Sequence, residues 1–481
     1  MPRSTLPALR PYQAEIARAI LGRIADRRGG SISVEVSRQG GKNEVSAQVE
    51  LLTLLAHAEA GGTVVKCAPT ATPQARLSLE RLHARAVDAG LEGVMHRRGH
   101  GVRCGAARAE FLSAEPGANV VGHTASLLLE VDEAQDVAPD KFDRDFRPMA
   151  ASTNAPVVYY GTPWGPGSLL ARARAEHMEA ERRDGVRRCF RYDWTAVAEH
   201  VPAYASYVAG ERERLGERHP LFRTQYLLEE VDETGRLFDD ATLAQLQGCH
   251  PRLRLPVEGE RYVAGLDLGG PDLARTSSLG TSASRDRDWT VLTIARVRTG
   301  SRSGPNGLAD SSLLPHVEVV EHQAWQGAAT EDLVAALADR LRNVWRVRRL
   351  AVDATGIGAP VADLLTARLG RERVEAVAFT AERKSRLGFG LLAAAHSGRL
   401  RFYASDGSRE HVECRRQLEW ARADYRAGAD GRSGAMRFDV DPARGHDDYL
   451  MSAALAVHAA GVDTGPRIAR GSTSREMGVL G

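Results

Sequence analysis

Ser126-Leu-Leu-Leu-Glu-Val-Asp-Glu-Ala-Gln-Asp136 is an apolar run that stops abruptly at two adjacent carboxylates, Asp132 and Glu133. A short apolar run suits a parallel strand covered on both faces, and ligands of open α/β sheets collect beyond the carboxyl ends of such strands. In a nucleotide hydrolase the first acid would help hold Mg2+, and the second would orient or deprotonate the attacking water. A strand ending in a solvated acidic turn has the same pattern, so the meaning of the pair depends on its surroundings.

Upstream, Ser31-Ile-Ser-Val-Glu-Val36 alternates as a strand and runs into Ser37-Arg-Gln-Gly-Gly-Lys-Asn43; Val45, Val49, Leu52 and Leu55 then recur with helical spacing. Strand, glycine loop and helix with Lys42 at the junction is the layout of a phosphate cradle. Backbone N–H groups at the helix start face the anion, and the Lys reaches the outer phosphates. The match to Gly-x-x-x-x-Gly-Lys-[Ser/Thr] is imperfect, with Val36 in place of the first Gly and Asn43 in place of the hydroxyl residue. An amide oxygen can still ligate Mg2+ or hold one of its waters. Before this, Leu9-Arg-Pro-Tyr-Gln13 opens an amphipathic helix along Ile16, Ile20 and Ile24, and Gln13 carries an amide able to read an adenine edge. Gly62–Ala68 reads as a second strand, followed by a helix through Leu77, Leu82 and Val87. After the acidic pair, Pro156-Val-Val-Tyr-Tyr160 is a strand that breaks at Gly161-Thr-Pro-Trp-Gly165, where Thr162 could sense the terminal phosphate.

The chain has 481 residues, enough for two or three domains. Its 43% hydrophobic and 26% charged content are those of a soluble globular protein. No apolar run reaches the roughly 18 to 20 residues that span a bilayer, so a membrane role is not expected. Five cysteines without a Cys-x-x-Cys pair argue against a zinc ribbon or a disulfide framework. A net charge of +2 identifies no nucleic-acid partner; only local clustering could do so. Only Lys42, Lys66, Lys141 and Lys384 are lysines among the 64 basic residues, so each raises the question of why a flexible point charge is needed there.

The second half repeats a strand-acid-glycine pattern. Arg261-Tyr-Val-Ala-Gly-Leu-Asp-Leu-Gly-Gly270 places Asp267 at a strand end, and Arg349-Leu-Ala-Val-Asp-Ala-Thr-Gly-Ile-Gly358 does the same for Asp353. Strands are expected over Asp288–Val297 and His316–Glu321, with a helix over Thr330–Trp345. Gly445-His-Asp-Asp-Tyr-Leu-Met-Ser-Ala-Ala starts a last helix with Asp447 and Asp448 in its first turn. Three acids from two neighbouring strands and a helix start can converge at the end of a sheet, where two hard cations would activate water and stabilise a phosphodiester leaving oxygen. Helix capping and Asp-Gly turns account for each acid taken singly.

The order glutamine, phosphate loop, acidic strand and Gly-Thr-Pro, with Arg38 inside the loop, resembles the large terminase subunit of tailed bacteriophages, the DNA-packaging motor. Val352-Asp-Ala-Thr-Gly-Ile-Gly-Ala-Pro360 is the most specific matching segment of the second half. The resemblance implies an α/β chain: an N-terminal P-loop ATPase domain of the ASCE type, then a mixed-sheet nuclease domain like ribonuclease H. Expected divisions are an ATPase core over 1–167, a helical subdomain and linker over 168–255, a nuclease domain over 256–463 and a flexible tail over 464–481. The resemblance also implies roles. Gln13 would contact adenine, while Arg38, Gly41 and Lys42 hold phosphates. Asn43 and Asp132 would serve Mg2+, Glu133 activate water, and Thr162 couple hydrolysis to movement. Asp267, Asp353 and Asp448 would hold the nuclease metals, Mg2+ or Mn2+, with Asp447 the alternative third ligand. His446 and Asp288 would support them; Lys384 is either a holder of the scissile phosphate or an ordinary surface lysine. Implied partners are ATP, double-stranded DNA, the portal protein, a small terminase subunit and further copies of the chain in a ring, most simply five. The implied place is the host cytoplasm, transiently on the procapsid portal and not in the mature virion.

Two alternatives share parts of this pattern. A helicase-nuclease of DNA repair would need a second motor lobe. A non-hydrolysing DNA- or portal-binding protein would account for Val36 and Asn43, but has no use for Glu133.

Overall fold

The computed structural model describes residues 6–231, 234–269, 289–298, 314–326, 330–356, 358–426, 435–441 and 444–463. Asp288 and the tail from 464 onward lie outside them. The chain divides into two compact units, the first comprising residues 1–237 and 422–438 and the second 238–421 and 439–481.

The first unit is built on eight strands: β1 (Ser31–Val36), β2 (Gly62–Ala68), β3 (Met95–Arg98), β4 (Gly101–Cys104), β5 (Ala107–Ser113), β6 (Leu128–Val131), β7 (Val157–Gly161) and β8 (Cys189–Tyr192). Their order is β3-β4-β5-β2-β6-β7-β1-β8. From β5 to β8 all neighbours are parallel, and β3 and β4 extend the sheet antiparallel. All four residues of β6 are buried, as a covered parallel strand requires. β7 stands between β1, which leads into the glycine loop, and β6, which leads into the acids; this intervening strand is the mark of the ASCE type.

The helix after the loop, Lys42–Ala56, buries Val45, Val49, Leu51 and Leu54, leaving Leu52 exposed. The helix Arg76–Asp88 buries Leu79, Leu82 and Ala86. Of the expected stripe Leu77, Leu82 and Val87, Leu82 is buried while Leu77 and Val87 lie exposed. The segment expected as a separate subdomain supplies β8 to this same sheet. A short strand, β9 (Thr234–Arg236), follows. The expected boundary near residue 255 falls instead between Leu237 and Phe238, because Asp239 caps the helix Asp240–Leu246 and Gln247 bridges to Phe402 within the second unit.

His177, on the helix Leu169–Asp184, lies 2.6 Å from the Ser31 hydroxyl at the start of β1. Burial, reinforced by the Arg188 and Arg23 guanidinium groups, pushes its pKa down to about 4. An unfolded His titrates near ~6.5. Below that value the unfolded chain binds the extra proton, so the stability this residue provides is full above ~6.5 and is lost as pH falls toward the folded value. Acidification across that window is expected to cost the first unit on the order of 3 kcal/mol through this group alone. Chemical denaturation of His177→Gln at several pH values should show a correspondingly flatter acid limb.

The second unit is a six-stranded mixed sheet: β10 (Arg261–Asp267), β11 (Thr290–Arg298), β12 (His316–Trp325), β13 (Arg349–Asp353), β14 (Val374–Val377) and β15 (Leu400–Phe402), in the order β14-β13-β10-β11-β12-β15. β11 is antiparallel to its neighbours β10 and β12, whereas β13 and β14 run parallel to β10. The chain then returns through β16 (Ala421–Arg426) and β17 (Ala435–Val440), which join β9 in a three-stranded sheet.

The helix Asp448–Asp463 packs on β10 through a backbone approach that Gly265 permits. A Cβ there would stand 2.1 Å from the Ser452 carbonyl oxygen and 2.4 Å from the Ala456 nitrogen. Ser452 also hydrogen-bonds the Thr293 hydroxyl of β11 at 2.7 Å. Gly265→Ala should push the helix off the sheet, costing about 1–3 kcal/mol. Because Asp448 opens that helix, the displacement should also move its carboxylate relative to Asp267 and Asp353. Thermal melts check the loss of stability.

Candidate active sites

In the first unit, a cavity of about 510 Å³ opens beyond the carboxyl ends of β1, β6 and β7. The loop residues Ser37, Arg38, Gly40, Gly41, Lys42 and Asn43 form one wall, and Glu133 and Thr162 lie among the residues opposite. Gly41 has φ 92°, a left-handed conformation that directs the chain into the helix beginning at Lys42. A Cβ at Gly41 would stand 2.3 Å from the Gln13 amide nitrogen. Lys42 is largely buried, with its Nζ 3.6 Å from Glu133 Oε2. Arg38 donates to Gln225 Oε1 at 2.7 Å and to the Gln225 carbonyl through its backbone N–H at 2.8 Å.

Gln13 and Asp132 are not among the lining residues. The Gln13 Nε2 donates to the Gly40 and Gly41 carbonyls, and its Oε1 accepts from the Arg10 backbone. As found, this amide holds the shape of the loop. Asp132 is buried at the end of β6, accepting from the Ser78 hydroxyl at 3.1 Å and from the Glu133 N–H at 3.2 Å. Glu133 itself has φ 44°, uncommon for a residue with a side chain and frequent at strained functional positions.

Two participants escaped the sequence reading. Gln135 donates to Glu133 Oε2 at 2.7 Å, and its Oε1 accepts from the Thr162 backbone N–H at 3.3 Å, so one amide joins Glu133 to the Gly-Thr-Pro turn. Gly161 makes room for it, since a Cβ there would meet Gln135 Oε1 at 2.1 Å. Gln135 lay within the acidic segment, but its partner is 27 residues away. Arg81 also lines the cavity. Its helix is tied to Asp132 through Ser78 and to Glu44 of the loop helix through Arg85, at 3.5 Å. Ser78, Arg81 and Arg85 share one face at helical spacing.

The cavity fits a nucleoside triphosphate. Its wall is a loop and helix N-terminus with three cationic side chains, and the buried Trp164 indole N–H that adjoins it has no partner among the described residues.

In the second unit, Asp267, Asp353 and Asp448 are buried at the ends of β10 and β13 and at the start of the last helix. The Asp267 carboxyl is held well above the usual range by burial and by the neighbouring Asp448, Asp447 and Asp353 charges. Burial likewise raises Asp353, although the Thr355 N–H donates to its Oδ1 at 2.8 Å. Asp448 Oδ2 accepts from the Trp289 backbone at 3.1 Å. Asp447 is half-buried, 3.6 Å from Lys384 Nζ. Among the described residues no group of three or more His, Cys, Asp or Glu side chains stands together so as to hold a metal ion. The acids nevertheless offer the hard oxygen donors that divalent cations take, because Asp448, Asp447 and Asp353 all act by charge on the buried Asp267, with Lys384 opposing them.

The two units thus have the folds of an ASCE-type P-loop ATPase and of a ribonuclease H-like nuclease, joined in one chain. No family model and no curated protein matches the sequence. Among solved structures, the large terminase from a thermophilic bacteriophage is similar with TM-score 0.54 and 12% identity, over 94% of this chain and 99% of that one. The large terminase of the same phage in complex with ADP gives TM-score 0.51 and 11% identity over the same shares. At such identities the likeness is one of fold.

Proposed function

We propose that this chain is a large terminase subunit, which hydrolyses ATP to drive double-stranded DNA into a procapsid and cuts the DNA with a metal-dependent nuclease. The observation that carries this reading is the presence, in one chain, of a phosphate-binding cavity backed by Asp132 and Glu133 and of a separate four-carboxylate cluster on a mixed sheet.

In the first site the loop N–H groups and Lys42 bind the ATP phosphates, with Arg38 and Arg81 on the walls. Asn43 and Asp132 would hold Mg2+, whose charge offsets that of the phosphates. Glu133 accepts the proton of the attacking water while Gln135 and Lys42 fix its carboxylate. Loss of the terminal phosphate changes what Glu133 and Thr162 face, and Gln135 links their positions. In the second site Asp267, Asp353 and Asp448, with Asp447 at the margin, would hold Mg2+ or Mn2+, which supplies an activated water and stabilises the leaving oxygen. Lys384 holds Asp447 in place and offers a cation for the scissile phosphate.

A portal protein, a small subunit that selects the cutting site and a ring of copies of this chain, most simply five, complete the machine. The test is packaging. Full-length protein, portal-bearing procapsids, duplex DNA and ATP should yield DNA resistant to added nuclease. Steady ATP turnover without protected DNA would set the motor reading aside.

A further inference from the structure

Strands β3 to β5 of the first unit carry a surface that neither catalytic site uses. The antiparallel register sets His96 opposite Arg103, and Arg103 opposite Arg108. Residues opposed across a ladder lie on the same face, so these three side chains form a row across three strands. Met95, Val102, Cys104, Ala107 and Ala109 are buried, whereas His96, Arg103 and Arg108 are exposed. Arg97, Arg98 and His100, at the β3–β4 turn, are exposed as well.

Among the described residues, few groups neutralise this cluster. Arg108 pairs with Glu110 at 2.9 Å, and Arg97 acts on Glu80. Among the described residues, the side chains of His96, Arg98, His100 and Arg103 make no hydrogen bond or ion pair. The whole chain carries only +2, so the concentration is local.

Two ordinary explanations cover only part of this. Charges on an edge strand prevent edge-to-edge association, which suits β3 but not Arg103 on β4 or Arg108 on β5. Intrinsic sheet stability opposes the arrangement, since like charges directly opposite each other destabilise a ladder. A polyanion lying across the row would remove that repulsion. The segment 95–110 contains no Phe, Tyr or Trp, so it offers no platform for stacking bases and suits contact with a backbone.

We propose that the outer face of β3–β5, through Arg98, Arg103 and Arg108, grips the phosphate backbone of duplex DNA. This rests on the reading of the chain as a DNA-acting motor. The experiment uses full-length wild type and Arg98→Gln/Arg103→Gln, binding a fluorescent random-sequence duplex over a salt series in EDTA. ATP turnover without DNA serves as the folding control. The double variant should bind at least about tenfold more weakly at low salt, with a slope of log affinity against log salt shallower by about 2. The loss should be equal on unrelated sequences, and turnover should be unchanged. Wild-type affinity and slope in the variant would overturn the proposal, as would aggregation of a variant that still binds normally, which would identify edge protection as the role. If the wild type itself bound no duplex, the DNA-directed function would fall together with this surface.

Discussion

Replacing Glu133 by Gln is expected to lower ATP turnover by roughly 10²–10⁴-fold, the usual contribution of a positioned base, while a fluorescent ATP analogue still binds within a few-fold of wild type. The amide keeps the shape of the carboxylate and can still accept from Gln135, but it cannot take a proton. Binding survives because the loop, Lys42 and the remaining cavity wall are untouched, and loss of the 3.6 Å contact to Lys42 removes a constraint on that lysine. Thermal stability should change little, since Glu133 is partly exposed. Turnover within threefold of wild type would show that another group activates the water.

The second large effect is expected at Asp267. Asp267→Asn should reduce metal-dependent plasmid cleavage by at least about 10³-fold, because it removes a charged ligand from the centre of the acidic group. The same change should leave the metal-free protein as stable as wild type or more so. Asp267 is surrounded by Asp448, Asp447 and Asp353, and a neutral amide ends that repulsion. Wild type should gain thermal stability on addition of Mg2+ or Mn2+, because an ion that binds only the folded state shifts the equilibrium toward it. Asp267→Asn should lose most of that gain. A variant that loses cleavage yet keeps the full metal-induced shift would place the metals elsewhere. Asp353→Asn tests the same site from the neighbouring strand.

The legible parts of this molecule are those where chemistry sits at a break in periodicity. The run from Leu127 ends at Asp132, and β6 ends at Val131; β10 and β13 likewise end on Asp267 and Asp353. An acid at the end of an apolar strand is a sequence signal that fixes its place at the sheet's carboxyl edge, so its position in the fold could be read directly. The four lysines repay the attention their rarity invited. Lys42 meets Glu133 and Lys384 meets Asp447, while Lys66 is buried against Ser46 and Glu50, and Lys141 meets Asp145. The glycine loop before the helix singled out Lys42 in the sequence, whereas the partners of Lys66 and Lys141 are visible only in the fold.

What was not legible depends on long-range contact. The Gln13 amide bonds to carbonyls 27 and 28 residues away, and no local pattern separates that role from adenine recognition. Of the stripe Leu77, Leu82 and Val87 only Leu82 is buried, because the packed face of that helix runs through Leu79, Leu82 and Ala86. β3 to β5 are short and interrupted by glycines and arginines, so their alternation is diluted. Residues 422–438 join the first unit from far along the chain, which no composition shift announces.

The central claim is that one chain holds two independent catalytic sites. The most direct measurement assays ATP turnover and metal-dependent plasmid cleavage on the same preparations of wild type, Glu133→Gln and Asp353→Asn. The account predicts both activities in wild type, cleavage without turnover in Glu133→Gln, and turnover without cleavage in Asp353→Asn. Loss of both activities from either well-folded variant, or of neither from both, would contradict it.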